Sequence, residues 1–298
     1  MSRNPNNTMT AKCFLFVTLL ATTPLLAQQA AEGFGPLDPT PPSGTTVAQI
    51  IQKMGQQESA FAAARNEYTF VQDVKFNTIS EDTNQPDGEY HQITNISFDD
   101  AGRREEHVTF APQNTIERVI MTQNDFKDIE KRLPFILTAP ELPDYDLSYL
   151  GKQHVDELET YVFDVKPKQL VKNHRYFQGK VWVDQQDNEI VLINGITVPQ
   201  DTRPGHEDLS PPYTTYYQQI DGKYWFPTYT KAEGTLHFAA QRGALSNDVH
   251  VRTIVRYTDY KRYHTNVIIH YDGEVLDNKT EPKRPDTTQP QSSIPPQR

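Results

Sequence analysis

The chain has 298 residues, of which 36% are hydrophobic and 23% charged, with a formal net charge of −10 and a pI near 5.4. That is an ordinary globular composition, long enough to bury a core of its own, and its acidity argues against nucleic acid or an anionic lipid surface as partner. A single cysteine, Cys13, excludes an internal disulfide and a cysteine-built metal centre.

Arg3 and Lys12 precede an apolar run over residues 13–20, which resumes at Leu25 and Leu26 and stops at Ala27 before Gln28. This is the layout of a secretory leader over residues 1–27, cleaved after Ala27. Thr18, Thr22, Thr23 and Pro24 interrupt the run, which falls short of the ~20 apolar residues of a spanning helix. A lipoprotein would carry cysteine directly after the cleavage point, where Gln28 stands. The expectation is an exported, periplasmic chain without lipid anchor or stable membrane insertion.

Residues 28–45, with Pro36, Pro39, Pro41 and Pro42, read as a linker. Val47, Ile50, Ile51, Met54, Phe61 and Ala64 share one face at helical spacing and predict an amphipathic helix over 47–65, capped by Thr45 or Thr46 and weakened at Gly55. A strand is expected over 68–76. Residues 89–98 and 103–110 read as a hairpin closed at Asp99, Asp100, Ala101 and Gly102, followed by a short helix over 125–132 capped by Asn124 or by Thr122 with Asp125. Pro140 and Pro143 then hold an extended connector.

Four strand patterns follow over 145–151, 161–166, 179–184 and 190–193. Tyr161, Phe163 and Val165 alternate with Val162, Asp164 and Lys166, the period of a strand with one wet face. Connections as short as 185–189 join only antiparallel neighbours, because a parallel crossover needs about a dozen residues. Residues 198–213 carry four prolines and read as a long loop of the kind that lies over binding sites. Further strands are expected over 216–220, 224–237, with Pro227 at an edge or bulge, and 249–257, with 267–271 as a last candidate. Residues 278–298 read as a disordered tail.

The succession YLGKQHVDELETYVFDVKPK, FQGKVWVD and DGKYWFP, with the amphipathic helix ahead of the first strand, resembles the exported outer-membrane lipoprotein-sorting family, the LolA-like group with LolB and RseB-type proteins. The resemblance spans residues 47–271, within a domain placed at 46–277. Where relatives often carry Val-Asp-Gly at a hairpin corner, this chain has Val155, Asp156 and Glu157. The resemblance implies an α+β, mainly β architecture: a curved antiparallel sheet forming an incomplete barrel, covered by the long helix and the short inserted one, with a hydrophobic cavity between. It implies a carrier or chaperone for lipid or lipoprotein acyl chains. An envelope-sensing module of the RseB kind, with a membrane-anchored partner, and a hydrolase are the alternatives.

Independently, Phe70, Val74, Phe76, Tyr161, Phe163, Val165, Val181, Val183, Val251, Val255 and Tyr257 alternate toward one side, and are the expected lining of such a cavity or else a dry core. Release of a ligand would need a lid, for which 199–213 and 125–143 are the candidates. No catalytic residue, metal or cofactor is expected. The sequence carries no Gly-x-Ser-x-Gly, phosphate-binding glycine loop or His-Glu-x-x-His motif. His206, Glu207 and Asp208 are adjacent and point apart, and His264 and His270 share a face only without a bulge. Asp99 with Asp100 and Glu105 with Glu106 read as exterior charge. Arg252, Arg256 and Arg262 among Tyr257, Tyr260 and Tyr263 read as cross-strand ion pairs rather than a nucleic-acid stripe. Trp182 and Trp225 are read as buried structural aromatics, with guarding the cavity mouth as the alternative.

Overall fold

A computed structural model describes residues 33–99, 101–201, 203, 208–238 and 247–263, and the backbone of 269–271 and 274–276. The expected leader and tail, His206, Glu207 and His264 lie outside the described residues.

Helix α1 runs Val47–Ala64, with Thr46 as cap: its hydroxyl accepts from Gln49 N and the Gln49 side chain from Thr46 N. This reciprocal pair satisfies two donors that a helix start leaves open. Strands β1 (Tyr68–Ile79), β2 (Pro86–Phe98) and β3 (Arg104–Phe110) follow as a meander, then α2 (Gln123–Lys131), capped by Thr122 with Asp125. The remaining strands are β4 (Tyr145–Val155), β5 (Leu158–Pro167), β6 (Tyr176–Asp184), β7 (Ile190–Val198), β8 (Tyr213–Gln219), β9 (Trp225–Phe238), β10 (Asn247–Arg262), and a separate pair, β11 (Ile269–Tyr271) and β12 (Glu274–Leu276).

The main sheet has ten strands in the order β3-β2-β1-β10-β9-β8-β7-β6-β5-β4, and its neighbours pair antiparallel throughout. The expected curved antiparallel sheet with a long covering helix is therefore what the chain forms, as an unclosed barrel whose edges are β3 and β4. Those two strands are consecutive in sequence yet at opposite edges. The connection 111–144, which carries α2, therefore has to span the sheet, and it does so across the concave side, where Leu133, Phe135 and Leu137 join the core.

That crossing and α1 together roof the concave face. Ile50 and Met54 of α1, and Leu133, Phe135 and Leu137 of the crossing, bury against Tyr161, Phe163, Val165, Val181, Val183, Val255 and Tyr257. Each such apolar side chain contributes roughly 1.5–3 kcal/mol on burial. Gly55 is where the two roof segments touch: a Cβ there would stand 2.5 Å from Leu142 Cδ1, and Ala139 N donates to Gly55 O at 3.0 Å. The residue that weakens α1 as a helix permits this contact.

The Pro-rich stretch ahead of α1 lies along β4. Gly35 N donates to His154 O at 2.8 Å, Asp38 and Lys152 exchange bonds of 2.8 and 2.7 Å, and Asp156 N donates to Gly33 O at 2.7 Å. Gly151, at φ +149°, makes this approach possible, because a Cβ would lie 2.3 Å from Asp38 O. The β4–β5 corner is a two-residue turn, with Val155 opposite Leu158 and Asp156 at φ 50°. Aspartate tolerates the left-handed region well enough to stand there.

A candidate ligand cavity on the concave face

The concave side is not filled evenly. Its middle is solid, but at the end bounded by the C-terminal half of α1, the β2–β3 turn and the second half of the crossing there is a cavity of about 560 Å³. Its floor is aromatic: Phe61, Phe70, Phe226, Tyr257 and Tyr260. Phe61 meets Phe226 edge-on at 5.0 Å, Phe226 lies 4.7 Å from Tyr260, and Phe70 stacks on Tyr260 at 5.1 Å. Pro134, Phe135 and Ile136 of the crossing form the facing wall.

Local backbone irregularity brings two of these rings together. Between Thr258 and Lys261, β10 carries one residue more than β1 opposite, and Asp259 sits at φ 55°. This bulge breaks the alternation, so Tyr257 and Tyr260, three apart, both face the cavity. The Tyr260 hydroxyl donates to Pro227 O at 2.7 Å. Pro227 itself lies beyond the last β9–β10 pair, at a β8–β9 register shift, where its missing N–H costs nothing. The Tyr257 hydroxyl is buried without a hydrogen bond, although Thr230 and Gln72 lie nearby.

The polar part of the lining is mostly cationic: Arg65, Arg104, Lys131 and Arg132, against Glu130 and Glu141. Arg104 is committed, donating to Gln72 Oε1 at 2.8 Å and Glu106 Oε1 at 2.7 Å with its guanidinium 5.9 Å from the Phe70 ring centre. Glu141 is committed to Thr138 N and Oγ1 at 3.1 and 2.6 Å. Among the described residues, the Arg65 and Arg132 side chains make no hydrogen bond or ion pair. Crowding by protein pushes the Arg65 guanidinium below its usual pKa; Glu141 opposes this, and the Arg104 charge adds to it.

The crossing is fixed from below by one strand. On β8, Tyr213, Thr215 and Tyr217 point alternately to the same face, and their hydroxyls donate to Arg132 O, Leu133 O and Phe135 O at 2.9, 2.6 and 2.5 Å. Side chains thus satisfy the carbonyls of a segment that has no regular structure. The loop after β7 is fixed to α2 by acids. Arg175 bridges Asp128 and Asp208, each at 2.6 Å, while Leu209 N donates to Asp125 Oδ1 at 2.8 Å. Burial pushes Asp125 and Asp128 above the usual carboxylate range, opposed by Leu209 N and Thr122 at the first and by Arg175 at the second. At their described residues, both candidate lid segments carry bonds of this kind to the sheet or to each other.

Of the eleven residues expected to line a cavity, Phe70 and Tyr257 do so here, and Phe76 borders a small cleft of about 20 Å³ beside α2. Val74, Tyr161, Phe163, Val165, Val181, Val183 and Val255 are packed beneath the roof, and Val251 joins Phe76, Val119, Leu209 and Val249 in a neighbouring cluster. Arg65, Arg104, Pro134, Ile136 and Phe226 belong to the lining without having been singled out. Only Tyr260 and Phe61 carried a signal, one in the Arg/Tyr run and one on the apolar helix face. Arg252 pairs across the strands with Glu233 at 2.6 Å, and Arg262 binds Glu67 at 2.6 Å. Trp182 is buried on the convex face, donating to Gln153 Oε1 at 2.8 Å, away from the cavity. Trp225 donates to Asp187 Oδ2 at 3.0 Å.

No family model matches the chain, and no curated protein matches it. Among solved structures it is similar to a DUF1329 family protein from Desulfovibrio piger, at 14% identity and TM-score 0.31 over 74% of this chain and 91% of that one. A putative outer membrane lipoprotein-sorting protein domain from Vibrio parahaemolyticus gives 12% identity and TM-score 0.30 over 70% and 91%. A chain of the MucA/MucB complex from Pseudomonas aeruginosa gives 9% identity and TM-score 0.20 over 71% and 93%. Likeness of this degree says nothing about ligand or partner.

Proposed function

We propose that this is an exported, periplasmic protein that binds rather than transforms its ligand, and that the ligand is a lipid or the acyl chain of a lipoprotein. The observation that carries the reading is the aromatic-floored cavity of about 560 Å³ under the roof of the sheet. Its size lies within the roughly 300–1,000 Å³ of small-molecule sites, and its aromatic floor faces a rim that is largely polar and charged. A methylene moved from water into such a space gains about 0.8 kcal/mol, so a chain of ~16 carbons offers at most ~13 kcal/mol. Among the described residues no helix is long and apolar enough to cross a membrane. The leader-like residues 1–27 support export.

Mass spectrometry of organic extracts from purified protein, with displacement of a fluorescent fatty acid, tests the reading. Co-purifying acyl lipid and saturable displacement are expected. A protein that carries no lipid and binds no fatty acid probe would sink it.

A further inference from the structure

The cavity has a chemical asymmetry that burial of an alkyl chain does not use. In a chain with a formal charge of −10, its lining gathers four cations and two carboxylates, and the carboxylate of Glu141 is already held by Thr138. Arg65 comes from the end of α1 and Arg132 from the end of α2, so two separate elements deliver guanidinium groups to one space; among the described residues neither side chain has a hydrogen bond or salt bridge, and Glu141 and Glu130 act on Arg65 only through their field. Arg65 also lies within the field of the Arg104 cation. Like charges gathered at the mouth of a cavity are unfavourable unless an anion joins them, and the Arg65 side chain, although crowded by protein, stays open to solvent and so to an entering ligand. The buried Tyr257 hydroxyl, with Thr230 and Gln72 beside it, belongs to the same lining.

Arginine suits this role. Its planar fork matches the oxygens of a carboxylate or phosphate, it keeps its charge when crowded, and it stacks on rings such as those of the floor.

We propose that the cavity selects an amphiphile with an anionic head, a carboxylate or a phosphate, whose head is held by Arg65 and Arg132 while its chain lies on Phe61, Phe70, Phe226 and Tyr260. This deepens the hydrophobic-ligand reading and rests on it. Arg104, tied to Gln72 and Glu106, acts as a fixed neighbouring charge. The two guanidinium groups are the specificity-determining part of the site, and the rings supply affinity common to any chain.

The test is competition against cis-parinaric acid on the full chain, with palmitic acid, hexadecyl phosphate, methyl palmitate and inorganic phosphate as competitors. The acid and the alkyl phosphate should displace the probe at concentrations at least about tenfold below the ester, as the loss of charge-assisted hydrogen bonds implies. Arg65→Gln with Arg132→Gln should close that gap, the loss falling on the acid and the alkyl phosphate rather than on the ester, and Arg65→Lys with Arg132→Lys should keep part of it. Thermal unfolding identifies any variant that has lost its fold, in which case each single Gln variant, expected to close part of the gap, decides. Equal displacement by ester and acid would overturn the anionic head while leaving the hydrophobic ligand standing. Inorganic phosphate competing as well as hexadecyl phosphate would overturn the amphiphile in favour of a free anion. Failure of the probe itself to bind would overturn the hydrophobic reading, and this inference with it.

Discussion

Glu58 is the least expected residue in the core. It lies on the buried face of α1 and accepts from Ile190 N at 2.9 Å, and burial, with help from Glu189, pushes its pKa up to about 8. Glu189 rises to about 7 through burial, then through Asp187. A carboxyl whose folded pKa exceeds its unfolded value contributes stability that is complete below the unfolded pKa and is lost as pH rises through the folded one. Thermal stability should therefore fall between about pH 5 and pH 9. Glu58→Gln keeps an acceptor for Ile190 N and should flatten the fall, gaining on the order of 5 kcal/mol at most at pH 9 and little at pH 4. A Tm profile identical to that of the parent would refute the assignment. Ala62, on the cavity side of α1, offers a steric test: Ala62→Trp should lower affinity for the fatty acid probe about tenfold or more without lowering Tm by more than a few degrees.

Between elements, two sets of bonds decide how firmly the roof is seated. Removing the Tyr217 hydroxyl with Tyr217→Phe leaves Phe135 O buried and unpaired, at a cost of about 1–3 kcal/mol in denaturant unfolding. Arg175→Met leaves Asp128 and Asp208 buried without their cation, so hydrogen exchange should accelerate over 123–133 and 208–212 while β5 and β6 keep their protection. Unchanged exchange in the roof would show that the apolar contacts alone hold it. These bonds also explain what could be foreseen. The alternation of Tyr161, Phe163 and Val165 marks the face of β5 that packs under the roof, and Thr122 with Asp125 announces α2, because both signals are local; the opposite face of β5 is not wet as expected, since Val162 is buried in the convex cluster. Residues 132–137 have no period of their own. Their conformation is set by hydroxyls of β8, some eighty positions on, which no local pattern reveals. The cavity escaped for a related reason: Tyr260 faces it only through the bulge at Asp259, and Arg65 and Arg132 stand just past the ends of helices, where periodicity stops.

At the scale of the whole molecule, the outer edge of β4 is occupied by residues 33–38, while no backbone bond reaches the outer edge of β3 among the described residues. Phe34 also lies edge-on to Trp182 at 5.9 Å, so the same stretch shields the convex cluster behind β5 and β6. A variant beginning at residue 45 should lose both protections and self-associate, as size-exclusion chromatography with light scattering would show. A monodisperse product of unchanged mass would count against that role.

The asymmetry of the rims also sets an upper limit on assembly. With one rim free among the described residues, two copies meeting along β3 would each exhaust it and stop at a symmetric pair. Freeing the second rim would turn a self-terminating union into an endless one, so the six positions 33–38 would set the difference between a closed pair and a fibre.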